Sequence, residues 1–123
     1  MLREAGQPDI DATITRLQAY AAAGADVLYA PGIQQPGHIR AVVAAVAPKP
    51  VNLLVGSPSP MTVADIAALG VRRISVGGAL ARSAWAGFQR AAQSLADGRF
   101  DGFTGAASGA GLNGFFGPDA ERR

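Results

Sequence analysis

Val51-Asn52-Leu53-Leu54-Val55, entered from Lys49-Pro50 and left through Gly56-Ser57-Pro58-Ser59-Pro60, decides the fold. Four of its five positions are apolar, which suits a strand buried on both faces, and such strands belong to parallel sheets covered by helices. The prolines and the glycine on either side set its limits, because proline lacks an amide donor and glycine permits the turn. Two runs of the same kind lie about 23 residues to either side. Asp26-Val27-Leu28-Tyr29-Ala30 is stopped by Pro31-Gly32, and Arg72-Arg73-Ile74-Ser75-Val76 is stopped by Gly77-Gly78.

Helical patterns separate the three runs. From about Asp11 to Ala23 the residues Ile10, Ile14, Leu17 and Ala21 recur at helical spacing, with Asp9 or Asp11 to cap the first turn and Gly24 to end the last. Ile39, Val42, Val43 and Val46 form a second apolar face, Pro36 is tolerated near its start, and Pro48 and Pro50 close it. Thr62 followed by Asp65 is the signature of a capping box, opening a third helix that runs to Leu69 and ends at Gly70. A fourth helix is expected from Ala79 to Ala96, with Leu80, Ala84, Phe88, Ala91 and Leu95 on one side.

Strands alternating with helices define an α/β fold of three parallel strands and four helices. Periodicity alone leaves open a (β/α)8 barrel or an open doubly wound sheet. Three strands are too few to close a barrel. From Asp101 the composition changes, with six of the sixteen glycines and also Phe103, Phe115 and Phe116. The expected organisation is therefore an α/β unit over residues 1–100 and a flexible Gly-rich tail over 101–123, whose phenylalanines suit docking on a partner.

The whole-chain composition narrows the function classes. The chain has 123 residues, 49% of them apolar and 16% charged, with a net charge of +2. That near balance carries no nucleic-acid footprint. The absence of cysteine removes disulfides and thiolate metal sites. No stretch approaches the ~20 consecutive apolar residues of a membrane span, and the first ten residues hold no apolar run of a secretory leader. A cytoplasmic protein is expected.

The segment from Arg16-Leu17-Gln18-Ala19-Tyr20 to Ala23-Gly24-Ala25-Asp26-Val27-Leu28-Tyr29-Ala30-Pro31-Gly32 resembles the fifth helix and sixth strand of the isocitrate lyase/phosphoenolpyruvate mutase superfamily. Lys49-Pro50-Val51-Asn52 and the run from Leu69-Gly70-Val71-Arg72-Arg73-Ile74-Ser75-Val76 to Gly77-Gly78-Ala79-Leu80-Ala81-Arg82 resemble its seventh and eighth strands and the start of its eighth helix. The likeness covers residues 9–100, in the order of the last three-eighths of the barrel. It implies a partial (β/α)8 barrel from a family of Mg²⁺-dependent enzymes. These make or break C–C or P–C bonds of small 2-oxo or 2-hydroxy carboxylates through a metal-bound enolate.

The resemblance also implies that the family's metal-holding aspartates and its mobile loop belong to the first half of the barrel. Asp26, Asp65, Asp97 and Asp101 do not stand at ligand spacing, whereas Mg²⁺ requires oxygen ligands converging on one point. The expectation is a chain that binds no Mg²⁺ and is inactive alone. A second expectation, of a different class, is a non-catalytic assembly or binding module. Open sheet edges are templates for pairing, so such a module would dimerise or join an N-terminal half-barrel. Phe88, Trp85 and the tail are its contact candidates.

Ligands of such barrels sit at the C-terminal ends of the strands. Asn52 is the first candidate for substrate binding: it is a polar residue in an apolar strand, and by resemblance it matches an asparagine that binds a substrate carboxylate. A structural role, bonded to a neighbouring strand, is its alternative. Gly77 and Gly78 resemble an anion nest ahead of a helix or, alternatively, a tight turn that requires small residues. Ser57, with Ser59, can reach a carboxylate or serve the turn. No residue is assigned as catalytic. Pro31 stands where some lyases of the superfamily carry a glutamate, which argues against isocitrate or methylisocitrate cleavage. His38 reads as a surface residue, and Arg72 and Arg73 as solvated residues at the opposite end of the third strand.

Overall fold

The computed structural model describes residues 9–117. The first helix, α1 (Ile10–Ala22), is capped by Asp9, whose carboxylate accepts from the amides of Asp11 and Ala12 at 3.0 and 3.1 Å. Gly24, at φ +101°, reverses the chain after it. Strand β1 has only two residues, Leu28–Tyr29, fewer than the sequence run suggests. It lies at the edge of the sheet, and its ladder is bounded by Pro50, which contributes a carbonyl to Leu28 but has no amide to return.

Helix α2 (Pro36–Val46) begins on its proline and buries Ile39, Val42 and Val46. Strand β2 (Val51–Leu54) occupies the centre of a three-stranded parallel sheet of order β1-β2-β3. Its central place explains its apolar sequence: Val51, Asn52 and Leu53 are all buried. Helix α3 (Val63–Ala68) opens on the expected capping box. Thr62 Oγ1 accepts from the Asp65 amide at 3.2 Å, and Asp65 Oδ2 accepts from the Thr62 amide at 2.8 Å and from its hydroxyl at 2.7 Å. Those bonds, the hydroxyl's foremost, hold the Asp65 carboxyl below its usual range.

Gly70, at φ +92°, turns the chain from α3 toward strand β3 (Arg73–Ser75). The register sets Leu28 beside Val51, Tyr29 beside Asn52, and Asn52, Leu53 and Leu54 beside Arg73, Ile74 and Ser75. Alternate residues of a strand face opposite ways. Leu28, Val51 and Leu53 therefore join Leu17, Ile39, Val42 and Ile66 in the core between sheet and helices. Tyr29, Asn52, Leu54, Arg73 and Ser75 line the other face. Arg73 is the first residue of β3, at the end of the strand opposite its C-terminal side, and stands level with Asn52.

The described residues form two compact units, 9–80 and 81–117. The second holds most of α4 (Ala79–Ala96), a 3-10 turn at Asp101–Phe103, and α5 (Gly109–Phe115). The described residues thus hold five α-helices where four are expected. The additional one arises in the Gly-rich segment, where Ser108 caps it by accepting from the Gly111 amide at 3.0 Å. Along α4 only Ser94 is buried. Leu80 and Phe88 are 75% and 62% exposed, and Trp85 is likewise exposed, edge-on to Phe88 with ring centroids 5.4 Å apart. No described helix is long and apolar enough to cross a membrane.

Candidate functional site

The candidate residues of the first unit lie on β2 and in the loops after β2 and β3: Asn52 near the start of β2, Ser57 in the loop after it, and Gly77 and Gly78 after β3. Asn52 is 4% exposed, and its Nδ2 donates to Ser75 Oγ at 2.9 Å, across from β2 to β3. Its Oδ1 is buried and has no hydrogen-bond partner among the described residues. Barrel-facing positions are usually branched and apolar. Here the row Tyr29, Asn52, Arg73 is polar on all three strands, with Ser75 one same-face position further along.

Gly77 has φ +52°, and a side chain there would bring a Cβ to 3.3 Å from Leu54 Cδ1, so the turn itself calls for glycine. The Ala79 amide donates to Val76 O at 3.1 Å, within that turn. Around Gly78 there is open space: nothing lies within 4 Å of where its Cβ would be.

Ser57 lies on a different side of β2. With Ile33, Gln34, Leu53, Val55 and Ser59 it lines a cavity of about 210 Å³ between the start of α2 and the loop after β2. Leu53 and Val55 share the helix-facing side of the strand, and Asn52, Gly77 and Gly78 are not among the lining residues. Ser59 serves its own turn, accepting from the Met61 amide at 3.2 Å. The structure therefore joins Asn52 to Ser75 and leaves Ser57 in a separate pocket.

Ser75 and Tyr29 were not singled out by sequence reasoning, and Arg73 was read only as a solvated residue. The one available signal was parity: in a strand running Arg72 to Val76, Arg73 and Ser75 share a face, and both are polar. Among the described residues no three His, Cys, Asp or Glu side chains converge.

A parallel sheet with helices on one face, a polar row on the other, and glycine- and proline-rich loops at the C-terminal strand ends defines the class: a segment of a βα barrel. Known proteins agree with that class. The phosphoenolpyruvate phosphomutase family pattern matches residues 1–96. The chain belongs to that family. A crystal structure of a protein described as a lyase/mutase from Burkholderia cenocepacia J2315 is 48% identical, with a TM-score of 0.84 over 92% of this chain and 41% of that one. Oxaloacetate acetylhydrolase in complex with oxalate is 28% identical, with a TM-score of 0.71 over 91% of this chain and 40% of that one. 2,3-Dimethylmalate lyase, a member of the PEP mutase/isocitrate lyase superfamily, is 26% identical, with a TM-score of 0.72 over 91% and 40%. The chain thus spans about two fifths of the length of these structures. No curated protein sequence matches it.

Proposed function

We propose that this chain supplies the C-terminal strands and part of the substrate-binding surface of a lyase or mutase acting on a small 2-oxo or 2-hydroxy carboxylate. The observation that carries the proposal is Asn52, a buried amide in the central strand whose Oδ1 has no partner. A buried polar atom of this kind costs stability unless a ligand satisfies it. The relatives are named for oxaloacetate and dimethylmalate chemistry, and the family match supports the same substrate class for this chain.

The enzymes it resembles rely on Mg²⁺, which stabilises negative charge on oxygen when bound. Among the described residues no three His, Cys, Asp or Glu side chains converge, and the proposal assigns the metal-dependent chemistry to other residues of the barrel. The contribution of this chain is to bind and orient. Asn52 contacts the substrate, and Gly77 and Gly78 let it approach the backbone, whereas Ser57 lines a separate pocket beside α2. The chain by itself is then catalytically silent.

Two measurements test the proposal. With Mg²⁺ present, turnover of oxaloacetate, 2-methylisocitrate and phosphonopyruvate by the 123-residue chain is expected to be absent, and turnover of any of the three overturns catalytic silence. Addition of millimolar oxaloacetate or malate is expected to shift the Asn52 amide resonances. No shift removes Asn52 from the substrate surface.

A second reading, a half-barrel that functions by assembly, is favoured by the exposed apolar residues of the second unit. Phe115 and Phe116 are 76% and 87% exposed, in addition to Trp85 and Phe88. Light scattering is expected to give a mass above that of one chain, and a monomer sinks this reading.

A further inference from the structure

The cavity between the start of α2 and the loop after β2 lies apart from Asn52, and its lining limits what it can hold. Ile33 and Leu53, each 2% exposed, are its deepest residues, and Val55 and Met61 are partly buried against the core. Pro36, Pro58 and Pro60 stand in its walls. A proline ring fixes φ, so the walls keep their shape without a ligand and little ordering cost falls on binding. The volume of about 210 Å³ exceeds the roughly 150 Å³ of an apolar cavity that takes benzene. No Asp, Glu, Lys, Arg or His lines it. An ion placed there would give up water and meet no opposite charge, whereas an uncharged ring gains by leaving water. Of the polar lining residues, Ser59 is engaged by the Met61 amide at 3.2 Å. Gln34 and Ser57, both exposed at the mouth, have no side-chain hydrogen bond among the described residues. An amide and a hydroxyl can each donate and accept.

We propose that this cavity is a second binding site, for an uncharged molecule of one ring bearing an amide or hydroxyl group. The ring lies against Ile33 and Leu53, and the polar group meets Ser57 and Gln34. The site discriminates against carboxylates, and it is independent of the surface assigned to the carboxylate substrate, because Asn52, Gly77 and Gly78 do not line it.

The test titrates the full 123-residue chain, with ¹³C-labelled methyl groups, against benzamide and against benzoate, which share a shape and differ in charge. Benzamide is expected to shift the methyl signals of Ile33, Leu53, Val55 and Met61, to saturate at millimolar concentration, and to leave Leu17 unmoved. Benzoate is expected to bind at least about tenfold more weakly. Val55→Phe, which fills the cavity, is expected to abolish the benzamide shifts, with unaltered Leu17 and Ile39 signals showing that the fold is kept. Absence of saturable shifts at those four residues in the unsubstituted chain overturns the site, as do shifts confined to the exposed apolar residues of α4 and α5 or benzamide binding that survives Val55→Phe. Benzoate bound as tightly as benzamide overturns the preference for uncharged ligands. Because the readout is the cavity methyl groups, failure of oxaloacetate or malate to shift Asn52 leaves this site standing.

Discussion

Gly24 and Gly70 offer a controlled comparison between backbone strain and steric exclusion, because both end a helix at nearly the same φ, +101° and +92°. At Gly24 a new Cβ meets nothing within 4 Å, whereas at Gly70 it lies 2.7 Å from Val43 Cγ1, on the partly buried side of α2. Gly24→Ala therefore carries only the cost of a left-handed backbone, about 1–2 kcal/mol. Gly70→Ala adds the cost of overpacking, about 1–3 kcal/mol, because Val43 is branched and stiff at χ1 and its neighbours Ile39 and Val42 are fully buried. The expected totals are about 1–2 kcal/mol against about 2–5 kcal/mol. Urea unfolding followed by far-ultraviolet circular dichroism measures both, and Gly70→Ala combined with Val43→Ala should recover part of the larger loss. Equal losses in the two single variants would refute the claim that the end of α3 is packed tightly on α2.

Other expectations follow from particular contacts. Ile39→Ala, at a fully buried position in α2, should cost about 2–5 kcal/mol in the same unfolding assay. Thr62→Ala removes the cap of α3 and should cost about 1 kcal/mol. Because the Asp65 carboxyl is held below its usual range, its contact with Thr62 stabilises the fold fully above the ordinary carboxylate range, and that stability is lost as pH falls through the lowered folded value. Asp65→Asn should flatten this part of the acid limb of a stability-against-pH curve, and an unaltered curve would show that the box contributes nothing. In the second unit Ser94 Oγ donates to Asp101 Oδ1 and accepts from the Gly102 amide at 3.2 Å. Ser94→Ala should speed hydrogen exchange at Gly102 while leaving Val42 and Leu53 protected.

Much of the local structure was legible because its causes are local. Pro36 at the start of α2, the Thr62–Asp65 box and the glycines that end α1 and α3 each act within a few residues of themselves. The length of β1 was not legible in this way. A strand is as long as its ladder, and the ladder here depends on Pro50, which is remote in sequence. The apolar stripe of α4 was read correctly as a stripe, yet Leu80, Phe88 and Leu95 are exposed, since periodicity marks a face without naming what covers it.

The candidate site divides along the same line. Asn52 stood out as the one polar residue of an apolar strand, so the sequence alone was enough to mark it. Its partner was hidden, because Ser75 is 23 residues away and faces it only through the register of β2 with β3. That register also places Arg73 level with Asn52 and separates Ser57 into a pocket on the helix side. By itself, then, the sequence determined the alternation of helix and strand and the parallel sheet, which follow from residue type at short spacing, and it pointed to the family by resemblance. Tertiary structure alone decided which polar groups meet, because hydrogen bonds across strands depend on a register that no single segment encodes.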